Sequence, residues 1–456
     1  MRVWVVAVGE PLPSDPGGQR LHRAGILCCM LAERGHDVLW WSGTFDHARK
    51  QPRFPRSTEL TVAPGQRIWC LHGRPYRRNV SLARLANHWQ VAREFDRLIP
   101  GELPPDVILA AMPTIELAHR AVAYGRRSGV ATLVDIRDLW PDIWTEAIPG
   151  PVRGLAACAF WPYERMLHAT LREADSVIGF TDGAVDWALA KIGRPRGAAD
   201  LAFPFGHDAS PPPPADLAAA ERFWDGLGVG SVDDGAFVAC FVGSMTRRLP
   251  LGRLVEAAAL VSPALRPRIR FVLCGDGDAR ADLVARARGL EHVLLPGWVN
   301  RAEIWSLLRR SHIGLLPYPR SIDFLRSIPN KAVEYLSGGL PIVTSMRGEM
   351  AALIARTGCG LALEEETPRA LTRAVLRLAG GSAEFGRLRA RAAAAFADLT
   401  ADVVYGRLID HMAALAREGG PRTRWPMPAD RPKWRRTLHL PSGGLGLGEQ
   451  WRWGAS

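Results

Sequence analysis

Long hydrophobic runs are scarce in this chain of 456 residues. The first, Val3 to Val8, meets Gly9 and Pro11 before it reaches the length of a signal-peptide core. No later stretch approaches the roughly 20 apolar residues that a spanning helix needs. A membrane span and a cleaved secretion signal are therefore not expected, and the opening run predicts a buried strand. Cysteine is sparse as well: Cys28, Cys29, Cys70, Cys158, Cys240, Cys274 and Cys359 make an odd number with no CxxC or CxxH spacing. Most lie inside apolar runs, where cysteine behaves as a small hydrophobe. A disulfide framework or zinc site is not expected, and a reduced compartment is. Acidic residues fall short of basic ones, 46 against 58, which leaves a net charge of +12. That excess fits nucleic acid, a membrane surface or a phosphorylated ligand, and equally an arginine-rich solvated surface.

What is there reads as a soluble globular composition, 47% hydrophobic and 23% charged, on a chain too long for one ordinary domain and comfortable for two. Strand-like runs alternate with helical patterns. Arg2–Val8, Asp37–Trp41, Val107–Ala111, Ala131–Asp135 and Ser176–Phe180 read as strands. Helical stretches stand between them at Arg20–Arg34, Leu82–Leu98, Ile115–Ser128 and Leu155–Glu173. The rhythm breaks over Phe203–Gly235, where Pro211 to Pro214 form a stiff run and a short helix, Leu217–Leu227, follows. It restarts with strands at Ala236–Val242, Arg270–Cys274, His292–Leu295, Ile313–Pro317 and Pro341–Thr344. This pattern predicts an α/β protein of two doubly wound domains with a cleft between them. The expected divisions are a first domain over 1–205, a linker over 206–235 and a second domain over 236–400. A C-terminal helix over 401–418, placed to cross back, and a basic, tryptophan-rich tail over 419–456 follow.

Three strand-to-helix junctions carry residues suited to chemistry. Between the first strand and helix, Pro16-Gly17-Gly18-Gln19-Arg20 lets the backbone approach a ligand, with a helix N-terminus behind it. It suits a pyrophosphate or a sugar acceptor, or it is a simple turn. Phe241-Val242-Gly243-Ser244-Met245-Thr246-Arg247-Arg248 runs from a strand through a glycine turn into two arginines. Guanidinium groups grip phosphate oxygens in a fork and can neutralise a departing diphosphate, unless these are solvated loop arginines. The most specific stretch is Pro329-Asn330-Lys331-Ala332-Val333-Glu334-Tyr335-Leu336-Ser337-Gly338-Gly339-Leu340-Pro341. Its helix N-terminus can face phosphate, Lys331 can reach an anion, and Glu334, one turn in, can accept two hydrogen bonds from a ribose diol. The bland alternative is a surface carboxylate on a surface helix. Asp276-Gly277-Asp278 mimics a metal-binding Asp-x-Asp but reads better as a turn and helix N-cap, and Gly443-Gly444-Leu445-Gly446 has no strand before it.

That last string, Pro-Asn-Lys-x-x-Glu-Tyr-Leu-x-x-Gly-Leu-Pro, resembles the nucleotide-binding signature of retaining glycosyltransferase family 4, in the branch found in bacterial exopolysaccharide, colanic-acid and O-antigen pathways. Leu31-Ala32-Glu33-Arg34-Gly35-His36 is similar to the family's opening, and Val134-Asp135-Ile136-Arg137-Asp138-Leu139-Trp140-Pro141 to its mid-domain strand end. Phe45-Asp46-His47 with Lys50, and Asn79-Val80-Ser81 with Arg84, resemble the branch's acceptor-side loops. Gly275-Asp276-Gly277 and Leu295-Pro296-Gly297-Trp298-Val299 follow the second domain's path. The resemblance runs over about residues 1–415 and leaves out the tail.

It implies a GT-B fold, two Rossmann-like domains facing a central cleft. It implies a nucleotide diphosphate sugar held by the second domain and a glycan or lipid-linked acceptor by the first. Retention of configuration is implied, with no cofactor and no bound metal. Donor-side residues are then Gly18, Gly243, Ser244, Arg247, Arg248, Asn330, Lys331 and Glu334, and acceptor-side residues Arg20, His47 and Lys50. Asp138 and Arg137 fall at the reaction centre, to orient a sugar hydroxyl, or form a structural ion pair at a strand end. Two positions depart from the family: Arg326, eight residues before Glu334, replaces a carboxylate that holds the donor sugar, and Ser244 replaces a phosphate-binding arginine. A nucleotide-sugar epimerase of the same fold and a catalytically silent partner subunit are the rival readings. The basic stretch from Arg49 to Arg84 suggests peripheral contact with anionic lipid from the cytoplasmic side, or a solvated face; no nucleic-acid reading motif accompanies it.

Overall fold

The computed structural model describes every residue except 17–19, 80, 147, 149–152, 234, 419–436 and 440–456. Gly18 and nearly all of the tail thus lie outside the described residues. The chain forms two compact units, one from Met1–Pro204 and the chain beyond Val404, the other from Phe205–Val403.

The strands of the first unit are β1 (Arg2–Val6), β2 (Asp37–Gly43), β3 (Phe45–Asp46), β4 (Gln51–Pro52), β5 (Thr58–Ala63), β6 (Gln66–Leu71), β7 (Val107–Met112), β8 (Ala131–Ile136) and β9 (Ser176–Gly179). Those of the second are β10 (Phe237–Val242), β11 (Ile269–Cys274), β12 (Val293–Gly297), β13 (Ile313–Leu316), β14 (Ile342–Thr344) and β15 (Gly360–Ala362). A last strand, β16 (Thr437–His439), returns to pair in parallel with β5. The first sheet has the order β16-β5-β6-β2-β1-β7-β8-β9 and the second β12-β11-β10-β13-β14-β15. Parallel strands between two helical layers bury both faces, so they read as unbroken apolar runs. The run Val3–Val6 is accordingly at most 1% exposed.

Helices α1 (Arg23–Glu33), α2 (Leu82–Leu98), α3 (Ile115–Ser128), α4 (Asp142–Glu146), α5 (Arg153–Glu173) and α6 (Asp182–Ile192) belong to the first unit. The second carries α7 (Pro214–Gly226), α8 (Gly252–Ala259), α9 (Arg280–Arg286), α10 (Arg301–Arg310), α11 (Ile322–Leu325), α12 (Asn330–Ser337), α13 (Glu349–Thr357), α14 (Pro368–Gly380) and α15 (Ser382–Phe396). The stretch expected as a linker carries α7, whose Trp224 is fully buried and donates its indole N–H to the Glu303 carbonyl at 2.8 Å. Pro214 opens α7 at a position where a missing N–H costs nothing. The last long helix, α16 (Ala401–Glu418), joins the first unit from Val404 on. There His411 Nε2 meets Ser176 Oγ at 3.1 Å, and Asp410 lies 3.5 Å from Arg34.

Sequence reasoning passed over the β5–β6 hairpin. Its antiparallel strands turn at Pro64-Gly65, with Gly65 at φ +74°. Its signal in the sequence is a Pro-Gly turn between two β-prone runs, in a stretch crowded with charged residues. The expected N-cap at Asp278 is also corrected: α9 starts after Ala279, and Asp278 Oδ1 instead accepts the Arg247 backbone N–H at 3.0 Å.

In both sheets the strand order switches sides at the first strand. In the second, β11 and β12 lie to one side of β10 and β13 to the other; in the first, β2 and β7 flank β1. Such a switch point opens a crevice at the carboxyl ends of the strands, the usual ligand position in parallel sheets.

Candidate functional site

In the second unit the switch point lies where β10 runs out into Gly243 and β13 into Pro317. Helix α12 follows β13 by way of α11. One residue ties α12 to both strands. The Tyr335 hydroxyl accepts the Val242 N–H at 3.0 Å and donates to the Leu315 carbonyl at 3.3 Å. Its ring needs the space that Gly314 leaves, since a Cβ there would sit 2.2 Å from Tyr335 Cδ2. The side chains on the adjoining turn are thereby placed. Lys331 comes beside Gly243, whose Cβ would lie 3.7 Å from Lys331 Cε. Lys331 Nζ donates to Glu334 Oε2 at 2.9 Å. Glu334 is 4% exposed, and a carboxylate buried to that degree is tolerated only when paired. Tyr318 is a neighbour the sequence reading missed; burial and the Glu334 charge push its phenol up to about 12.

The loop after β10 is braced from the next strand. Gly275 and Gly277 have φ of +141° and +147°, and a Cβ on Gly275 would stand 1.8 Å from the Gly243 carbonyl oxygen. Met245 N donates to the Asp276 carbonyl at 2.8 Å. Gly-Asp-Gly therefore serves as the bed on which the 243–245 backbone lies. Ser244 and Asn330 are exposed. Arg248 pairs with Asp323, whereas Arg247 lines a separate cavity with Gly252, Glu256, Asp282 and Arg286, between α8 and α9. The structure thus brings together Gly243, Lys331 and Glu334. Arg248 belongs to the loop that borders them.

In the first unit, Arg137 and Asp138 follow directly on β8 and behave differently. The Arg137 guanidinium donates to Asp135 Oδ2 at 2.9 Å and is ion-paired with Glu10. Asp135 is fully buried and also receives Arg23, at 2.9 and 3.2 Å. Burial pushes the Asp135 carboxyl up, but the charges and hydrogen bonds of Arg23 and Arg137 outweigh it and hold the group below its ordinary range. Glu10 also accepts the Ala24 N–H, at the start of α1, at 2.9 Å. One network therefore joins the loop after β1 to α1 and the end of β8, and neither Glu10 nor Arg23 was singled out by sequence. Asp138 is exposed and near the Arg84 guanidinium, which lies 4.7 Å from the Trp140 ring centroid.

His47 and Lys50 come together with Tyr76. His47 Nδ1 is 2.6 Å from the Tyr76 hydroxyl and 3.4 Å from Lys50 Nζ, and Lys50 donates to Asn79 Oδ1 at 2.5 Å. Burial, then Lys50 and Arg84, lower the His47 pKa to about 4, so the imidazole is neutral at physiological pH. Arg20 is exposed. The expected basic face loses two members. Arg53 is buried on Asp15, and Arg67 lies between Glu59 and Glu102. Arg49, Arg56, Arg74, Arg77 and Arg78 remain exposed. Among the described residues, no helix is long and apolar enough to cross a membrane.

Comparisons with known proteins bear on the fold and the class. A family model described as a glycosyl transferase 4-like domain matches residues 21–202, and one described as glycosyl transferases group 1 matches residues 236–380. No curated protein matches the chain. Among solved structures, sucrose-phosphate synthase from Thermosynechococcus elongatus superposes with a TM-score of 0.66 at 17% identity, over 91% of this chain and 99% of that one. Anabaena HepE in complex with UDP gives 0.60 at 16%, over 91% and 100%. An E. coli trehalose-6-phosphate structure bound with UDP-2-fluoro glucose gives 0.64 at 14%, over 91% and 99%. Likeness at such identity speaks to fold alone, and the domain matches speak to class. The chain is a glycosyltransferase of GT-B type, with a glycosyl transferase 4-like domain followed by a group 1 domain.

Proposed function

We propose that this glycosyltransferase takes a sugar from a nucleoside diphosphate donor held by its second unit and transfers it, with retention, to a glycan or lipid-linked acceptor. The observation that carries the donor half is the buried Glu334 carboxylate paired with Lys331 beside Gly243, at the switch point of the second sheet. A ribose diol offers two hydroxyl donors to such a carboxylate. The diphosphate then falls by Gly243, Ser244 and the α12 N-terminus at Asn330, within reach of Lys331 and Arg248. The neighbours solved with UDP and with a UDP-sugar support a donor of this class.

In this reading, cations and backbone N–H groups stabilise the departing diphosphate, where negative charge grows as the glycosidic bond breaks. The acceptor hydroxyl enters on the face the phosphate leaves, and a phosphate oxygen takes its proton. Asp138 orients a sugar hydroxyl. Arg137, committed to Glu10 and Asp135, acts as a positioning residue that sets the end of β8. Arg20, His47 and Lys50 hold the acceptor, with His47 offering a neutral ring.

The test is thermal stabilisation of the full chain by UDP-, GDP- and dTDP-hexoses, on wild type and Glu334→Gln. One nucleotide class should stabilise the wild type, because a ligand that binds only the native state raises its apparent stability. Glu334→Gln should weaken that binding by about tenfold or more, as expected when hydrogen bonds to a charged acceptor are lost. Absence of stabilisation by every donor would overturn the reading in favour of a silent partner subunit. Sugar released as an isomer without acceptor would point to an epimerase.

A further inference from the structure

An ion pair that sequence reasoning did not foresee joins the loops after β10 and β13. Arg248 Nη2 donates to Asp323 Oδ2 at 2.6 Å, and Asp323 Oδ1 accepts from Ser321 Oγ. The guanidinium carbon is 5.5 Å from the Phe324 ring centroid. Phe324 in turn lies 4.8 Å from the ring of Tyr318, whose phenol senses the Glu334 charge. Asp323 is thereby linked, through Phe324 and Tyr318, to the neighbourhood of Glu334.

The carboxylate is held in place. Gly348 has φ +64°, and a Cβ there would stand 1.8 Å from the Leu325 carbonyl oxygen, so the loop after β14 seats directly on the end of α11. The partner is looser: the Arg248 side chain is 56% exposed and that of Asp323 17%. An arginine–aspartate pair with so exposed a member contributes little to stability. A fixed carboxylate is also a poor neighbour for a diphosphate, which it repels. It suits a group that brings hydroxyl donors.

We propose that Asp323 is a specificity-determining residue for the transferred sugar. Without ligand it neutralises Arg248. When a diphosphate draws the Arg248 guanidinium to itself, Asp323 is released and accepts hydrogen bonds from sugar hydroxyls. In the bound state the Arg248 charge meets the diphosphate, and the Asp323 carboxylate is satisfied by hydroxyl hydrogen bonds instead of a cation. This rests on the reading of Arg248 and Glu334 as ligands of the diphosphate and ribose.

The test compares each nucleotide with its own sugar conjugate on the full chain by calorimetry: UDP with UDP-glucose, GDP with GDP-mannose, dTDP with dTDP-glucose. Asp323→Asn keeps the shape and the Ser321 contact and removes the charge. It should bind the free nucleotide at least as tightly as wild type, because Arg248 is released. Its affinity for the sugar conjugate should fall about tenfold, the usual consequence of losing a charged hydrogen-bond acceptor. The donor KM should rise more than kcat falls, and Asp323→Glu should recover part of the loss. An unchanged ratio of the two affinities, or an equal loss of both, would overturn the proposal by making Asp323 a brace only. If Asp323→Asn does not fold, Asp323→Glu carries the same comparison: its ratio should shift, and an unchanged ratio again overturns the proposal. Failure of the underlying site reading is separate, since Glu334→Gln would then alter neither ligand's binding.

Discussion

A single imidazole shows how tightly the second sheet constrains its residues. His312 Nδ1 accepts the Val238 N–H at 3.0 Å, while the His312 backbone N–H donates to the Val238 carbonyl at 2.8 Å. Nδ1 can accept only if it carries no proton, so the ring is neutral with its hydrogen on Nε2. Burial lowers its pKa from 6.5 to about 4, with help from Arg389. The unfolded chain binds a proton near pH 6.5 and the folded chain only near pH 4, so stability falls as pH drops through that window and is flat above it. The loss is on the order of 2 kcal/mol at pH 5. His47, lowered to about 4, acts in the same direction. Urea unfolding of wild type and His312→Asn between pH 7 and 4.5 should show a shallower decline in the variant; identical slopes would refute the assignment. Sequence could not locate this group, because a lone histidine before an apolar run has no signature until β10 is beside it. Glu334 and Lys331 were legible because they share one helical turn. Asp323 was not, because its partner lies 75 residues away.

Among the elements, the glycine loop after β11 has the narrowest tolerance. A methyl group on Gly275 would overlap the Gly243 carbonyl oxygen, which is backbone and cannot swing aside. Gly275→Ala should cost roughly 2 kcal/mol or more in urea unfolding and also lose donor binding. Gly386, inside α15 with nothing within 4 Å of its would-be Cβ, is the contrast. Gly386→Ala should stabilise by about 0.5–1 kcal/mol, the helix-propensity gain alone. Equal effects of the two substitutions would sink the argument. The major elements were readable from period and turn residues, since buried parallel strands leave unbroken apolar runs. The hairpin β5–β6 and the helices α13 to α15 were not assigned. Their patterns are short or shared with charged residues that packing later sorts into buried and exposed.

For the whole molecule, net charge is the property with a reach beyond any one site. Of the basic stretch, Arg74, Arg77 and Arg78 are exposed, close in sequence to a Leu82 that is 84% exposed. An exposed apolar side chain a few residues from exposed arginines suits the interface of an anionic bilayer. The expected outcome is flotation of the full chain with phosphatidylserine or phosphatidylglycerol vesicles, reduced by salt and by Arg77→Glu with Arg78→Glu. Flotation indifferent to both, or none at all, would leave a merely solvated face. Charge counting alone could not select these residues, because Arg53 and Arg67 look the same in the sequence yet are neutralised inside the first unit.

The chain's own order of residues determined its class. Alternating strands and helices, glycine at strand ends, and Lys331 and Glu334 one turn apart are local patterns set by backbone geometry and helical period, so they can be read without folding the chain. Only the tertiary structure decided which charges act together. It joined Arg248 to Asp323, enclosed Arg137 with Glu10 and Asp135, and paired Arg53 with Asp15 and Arg67 with Glu59 and Glu102. The reason is physical: a charge's partner is set by proximity in space, and the parallel crossovers of these sheets bring together side chains that sequence distance keeps apart.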